Sequence, residues 1–405
     1  MRASSGGAFG WSARFPRAPT DSLLESVLLA FLATAGLFYV NIMAALVSGL
    51  VVGLHFSVRD AGLVVSANVY GAAFGALVAA LAIKRLPWRV TAIVVLIGLA
   101  TIDLASIAIV QPVPLTVIRC VHGILGGILV GVAFAVIART RHPDRNFGML
   151  LVVAAAMGSL GVGILPRMVP IFGAPVLFIA LAGFSMLTLL MVPFLGDYPV
   201  PRGDAATGLT RAMLSAGRVT LPLALSLGAV FLFQSGNMAL GAYILELGRA
   251  YGLDVAFCST ALAIAGWIGA CSALFVVKFG IRWGRVLPLA IGLTITVIGN
   301  AAYHWSESAV VYAAADIVTA ITWFVVIPYL LGLCAAVDRT GRGAALAGFA
   351  SKMGLATGPL VGSLVLDGVH YRLLINLSVV VLATAAFFAI GPALLLDRKA
   401  AGVHS

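Results

Sequence analysis

The chain has 405 residues, 62% of them hydrophobic and only 10% charged, with a mean hydropathy of +1.12. Soluble domains carry about 25% charged residues, so this composition excludes a water-soluble globule and places the chain in lipid. The net charge of +11 is spread over many short polar segments, which excludes a nucleic-acid patch, and the four cysteines show no paired or His-Cys spacing, which argues against a disulfide framework or a metal site.

Residues 1–21 have no apolar core and read as a short, basic, disordered lead rather than a signal peptide. Twelve apolar runs follow, each long enough to cross hydrocarbon as a helix. They lie at 24–52, 61–83, 89–111, 114–137, 147–168, 172–195, 219–247, 255–277, 284–304, 308–336, 343–366 and 373–395, numbered here as spans 1 to 12. With the N-terminus inside, 19 of the 25 Lys and Arg residues fall on the inner segments and four on the outer ones. This asymmetry predicts an inner-membrane protein with both termini cytoplasmic, its basic rim facing anionic lipid.

The longest interior polar stretch, 196–218, divides six spans from six. The halves echo each other: "LAIKRLPWRV" follows span 2 and "FVVKFGIRWGRV" follows span 8. The fold expected is therefore an all-α membrane protein of two pseudo-symmetric six-helix bundles, 22–195 and 219–397, joined by a cytoplasmic linker and closed by a tail at 398–405. In transporters of such a doubled plan the substrate site lies between the halves.

Those loops resemble the signature G-x-L-a-D-R-x-G-R-R of the major facilitator superfamily. The second copy keeps Lys278, Gly280, Arg282 and Arg285; the first has Lys84, Arg85 and Arg89, with Ile83 in place of the acid and Leu86 in place of the glycine. Span 4 reads Arg119-Cys120-Val121-His122-Gly123, which is similar to the R-x-x-Q/H-G of the superfamily's proton-coupled drug and small-molecule antiporters. The resemblance covers about residues 22–397. It implies proton coupling at Arg119, gating by the two basic loops, a cavity lined by spans 1, 4, 7 and 10, and a monomer.

Ionised groups inside a span are costly and face protein or a wet cavity. Arg119 shares a stripe with Gly123, Gly127 and Gly131, a spacing at which a neighbouring backbone approaches closely. Asp103 of span 3 matches it in depth, so an Asp103–Arg119 pair is expected, as a latch or as part of the coupling path. Span 10 buries Asp316 and span 11 buries Lys352; these form the answering pair of the second half. A carboxylate in such a cavity can take up and release a proton as the site alternates, which makes Asp316 the expected proton carrier. An ion-pair staple is the plainer reading. Lys352 then neutralises Asp316 or holds an anion, and His122 is either a coupling group or a hydrogen-bonding core residue. Tyr39, Asn41, Gln234, Asn237, Tyr312 and Trp323 complete the expected substrate-binding set with Arg119 and Lys352; ordinary interhelical hydrogen bonding accounts for them equally well.

Three functions remain. A secondary transporter exporting a small organic molecule against protons is favoured by span 4. A proton symporter importing an organic anion is favoured by Arg119 and Lys352 as cavity cations. A non-transporting receptor or scaffold has no need of charges buried in both halves. No catalytic triad, HExxH or phosphate-binding loop is present, so no enzyme is expected. No cofactor is expected either, the proton gradient supplying the energy.

Overall fold

The computed structural model describes residues 16–82, 87–198, 219–280, 282–338, 342–366 and 371–401. These residues are helical and include no strand. Span 1 is two helices, Leu23–Asn41 and Met43–Leu54, and span 7 is likewise split into Leu221–Gly241 and Ile244–Ala250. The others are Val58–Ala82, Trp88–Ser106, Pro112–Ile137, Pro143–Phe172 and Pro175–Met191 in the first half. In the second they are Val255–Phe279, Val286–Ala302, Ala309–Val337, Arg342–Val365 and Tyr371–Ala401. Among the described residues eleven helices are long and apolar enough to cross a membrane. The helix of span 11 has the length, but Arg342, Lys352 and its glycines lower its hydropathy.

Local chemistry sets the ends. Ser22 caps span 1 by accepting from the Glu25 backbone N–H, and the Glu25 carboxylate reaches back to the backbone N–H of Asp21, a capping-box arrangement. Asp254 caps span 8 through the Phe257 N–H. The breaks in spans 1 and 7 fall at matching places with nearly the same geometry, φ −108° and ψ 19° at Ile42 and φ −110° and ψ 11° at Tyr243.

The halves repeat in packing as well as in order. Spans 2 and 4, 1 and 5, and 3 and 6 pack together in the first half; 8 and 10, 7 and 11, and 9 and 12 do so in the second. The halves meet where span 2 packs on span 11 and span 5 on span 8. The glycine ridges make the close approaches. Gly123 and Gly127 face the backbone of span 2 at Asn68 and Ala72, while Gly354, Gly358 and Gly362 face span 7 at Phe231, Ser235 and Tyr243.

The core is divided. On the face bearing both termini each half has its own: Leu29, Leu96, Val136 and Leu195 in the first, and Phe233, Leu293, Leu333 and Ala389 in the second. Toward the far face a single cluster joins the halves, with Leu46, Val65 and Leu177 packed in one body with Leu245, Tyr243 and Leu374. The molecule is therefore closed at the far face and parted toward the termini.

Two expectations change. The lead is not wholly disordered: Ala18 is buried, its N–H donates to the Phe194 carbonyl, and Arg17 pairs with Asp197. Residues 196–198, expected in the linker, pack on the first half, where the Tyr198 hydroxyl donates to Glu25. Burial and that carboxylate hold the phenol well above its ordinary range. The rest of the linker lies outside the described residues.

Candidate functional site

In the first half Asp103, Arg119 and His122 form one closed cluster within the spans. Arg119 Nη1 donates to Asp103 Oδ1 at 2.6 Å, and both side chains have no solvent exposure. His122 Nε2 lies 3.3 Å from the same oxygen. Asn68 of span 2 donates to the Arg119 carbonyl at 3.0 Å and lies 2.8 Å from His122 Nδ1. With Nδ1 accepting, the imidazole proton sits on Nε2, toward Asp103. The guanidinium carbon stands 4.6 Å from the Phe178 ring centroid and 6.0 Å from that of Tyr39. Arg119 Nε and Nη2 and Asp103 Oδ2 hold no hydrogen bond.

The expected Asp103–Arg119 pair therefore exists, and its depth was legible from residue counting. Its surroundings correct the cavity assignment. Arg119 and Tyr39 are sealed among spans 1, 2, 3, 4 and 6, with Tyr39 only 4% exposed, so neither lines an open passage in this state. Asn68 and Phe178 were missed; an amide within an apolar span was the available signal for Asn68.

The second half is built on a different pair. Tyr303, at the far end of span 9, donates to Asp316 Oδ1 at 2.7 Å and lies 3.3 Å from Thr319 Oγ1. Asp316 Oδ2 is buried without a partner. Tyr312 is fully buried and donates to the Ile244 carbonyl of span 7. The expected Asp316–Lys352 pair is absent: Asp316 is served by a phenol, and Tyr312 belongs to the closed far side rather than to an open site. Spans 3 and 9 are equivalent by the repeat, as are 4 and 10, so Asp103–Arg119 and Tyr303–Asp316 are corresponding linkages of different charge.

Of the other predicted residues, Gln234 and Trp323 are brought together near the point where the halves part. Gln234 of span 7 accepts from Trp323 Nε1 of span 10 at 2.8 Å and donates to Ser351 Oγ of span 11 at 2.8 Å. Lys352 follows Ser351 directly. It is half-buried, and among the described residues its ammonium has no ion pair or hydrogen bond. Asn237 donates within its own helix to the Phe233 carbonyl, and Asn41 donates to the Ala154 carbonyl of span 5.

The closed side is held by contacts that sequence reading did not single out. Tyr70 and Thr357 share a hydrogen bond of 2.8 Å between spans 2 and 11. Tyr243 donates to the Pro359 carbonyl and stands against Gly62, where any Cβ would collide with its hydroxyl. Arg167, counted from sequence as an outer-loop charge, donates to the Ala256 carbonyl and to Thr260 and Ser259 of span 8.

Of the loop residues, Lys84 and Arg85 lie outside the described residues. Arg89 donates to the carbonyls of Leu195 and Gly196 and pairs with Asp197, all within the first half. Gly280 has φ +50°, its carbonyl accepts from Tyr329, and Arg282 is exposed. Asp397, at the end of span 12, accepts from the backbone N–H groups of Arg285 and Val286 at the start of span 9. Asp197 occupies the corresponding place after span 6.

No protein-family model matches the sequence, and no curated protein matches it. Solved structures do match it in shape. The nucleoside transporter NupG superposes with a TM-score of 0.75 over 92% of this chain and 99% of its own, at 14% identity. A point mutant of NupG gives 0.71 over 91% of this chain and 99% of its own, at 15% identity. A D-xylose-proton symporter gives 0.67 over 93% of this chain and 97% of its own, at 14% identity. At such identities the likeness is one of fold. The chain is a multi-span membrane protein with the major facilitator fold, as the motif resemblance implied.

Proposed function

We propose that the protein is a secondary active transporter that takes up a small organic solute together with protons. Its halves rock about the site at Gln234, Trp323 and Lys352. The observation that carries this reading is the divided core: one shared cluster at the far face, two separate clusters toward the termini, and polar side chains where they diverge. A receptor or scaffold has no use for an interior that opens to one side only. With the lysine- and arginine-rich rim cytoplasmic, this state opens to the cytoplasm.

Asp316 is the proton carrier in this reading. One oxygen is held by Tyr303 and the other has no partner, which leaves a place for one proton on a carboxyl that no cation neutralises. The sealed Asp103–Arg119–His122 cluster is a structural tie rather than the coupling centre. The span 4 motif weighed toward export; the likeness to a D-xylose-proton symporter supports uptake instead.

The test is transport in proteoliposomes under an imposed pH gradient, with Asp316→Asn alongside. Uptake in the direction of proton flow is expected. The variant should lose dependence on the gradient yet still exchange solute for solute. Counterflow of protons and solute would restore the export reading, and an Asp316→Asn protein with unchanged proton dependence would remove the carrier role.

A further inference from the structure

The ionisable groups in the interior of the spans do not balance one by one. Asp103 and Arg119 cancel in direct contact. Asp316 accepts from the phenol of Tyr303, which also reaches Thr319, and the nearby Tyr312 phenol and Cys258 thiol are not cationic either. Lys352 directly follows Ser351, which is tied to Gln234 of span 7 and through it to Trp323 of span 10. The facing span 2 supplies Tyr70, which bonds Thr357. Among the described residues no carboxylate reaches Lys352 within ion-pair distance. A cation within a span is paired or faces water, so the half-buried, unpaired Lys352 leaves room for a counter-charge at the site.

Resting on the transport reading above, we propose that the solute is an organic monoanion whose acidic group pairs with Lys352, and that the cycle carries no net charge. The accounting is direct. Once its proton has been released, the empty carrier holds Lys352 as a cation and Asp316 as an anion. The loaded carrier holds Lys352 paired with the anion and Asp316 protonated. Both sums are zero, so one anion and one proton cross together. Trp323, fixed through its indole N–H to Gln234, offers a flat apolar wall for the body of the solute.

The test uses a panel of aliphatic and aromatic monocarboxylates, each with its neutral amide, in proteoliposomes where the pH gradient and the membrane potential are set independently. At least one acid should accumulate with the proton gradient, at least tenfold above its amide. A potassium-valinomycin potential of about 100 mV should leave accumulation within about twofold, whereas a net charge of one would change it roughly fifty-fold. Lys352→Gln should lose the preference for acids. It should also withstand heating at least as well as wild type, since it removes an unpaired charge and leaves no partner behind. Proton-driven movement of acids at wild-type rates in Lys352→Gln, a fifty-fold response to potential, preference for amides, or no transported panel member would overturn the inference. Proton-driven uptake of a sugar or other neutral solute would overturn it while leaving the transport reading intact; failure of every proton-driven flux would remove both.

Discussion

Arg119 of span 4 and Asp103 of span 3 meet at 2.6 Å with no solvent exposure on either side chain. Beyond each other, Asp103 has His122 and Arg119 has the Phe178 and Tyr39 rings, while among the described residues two guanidinium nitrogens and one carboxylate oxygen hold no hydrogen bond. Removing one member leaves an uncompensated buried charge, a loss of about 3–5 kcal/mol. Arg119→Leu or Asp103→Leu should therefore lower stability by that amount, while the double leucine variant should lose much less. Thermal inactivation in detergent measures this, and additive single losses would show that the pair does not act as a unit.

Gly62 is where the closed face depends on the lack of a side chain, because Tyr243 fills the space a Cβ would need. Gly62→Val should drive the halves apart at the far face and slow transport. The neighbouring Ser363 is fully buried in the closed state, so a cysteine there reports on the change once Cys120, Cys258, Cys271 and Cys334 are replaced by serine. Labelling by an impermeant maleimide should quicken roughly tenfold, equivalent to about 1.4 kcal/mol against the closed state. Arg167→Ala should act in the same direction and more weakly, since its lost hydrogen bonds contribute about 1 kcal/mol each.

Gln234 holds two side chains on two other spans through one amide. Gln234→Leu leaves the Trp323 indole N–H and the Ser351 hydroxyl unserved, at about 1–3 kcal/mol for a buried group. Solute affinity should fall by roughly tenfold with expression and folding retained. An unchanged KM would place the solute elsewhere.

Asp397 and Asp197 occupy corresponding places after spans 12 and 6 but act differently. Asp397 caps span 9 through two backbone N–H groups, so Asp397→Ala should cost about 1–2 kcal/mol. Asp197 is 65% exposed and among the described residues pairs with Arg17 and Arg89 alone, so Asp197→Ala should cost less than about 1 kcal/mol. Equal losses in a thermal assay would contradict this distinction.

Length and hydropathy were sufficient for eleven of the twelve spans, because each must hide its own backbone from lipid as a helix whatever its neighbours are; the less apolar span 11 has the length alone. The twofold repeat of six spans, the glycine ridges and the matched depths of Asp103 and Arg119 followed from order and rise along single helices. What a helix face meets is another matter. A period of 3.6 residues says which side chains share a side, not which span stands opposite. Only packing decided that Tyr303 rather than Lys352 serves Asp316, that Tyr39 and Tyr312 are sealed in while Lys352 has no ion-pair partner among the described residues, and that the halves close at Tyr243 and Gly62 and part toward the termini. Those outcomes depend on how whole helices rotate and break against one another, and that choice is made by contacts between different helices, from 13 positions apart at Tyr303–Asp316 to 287 at Tyr70–Thr357.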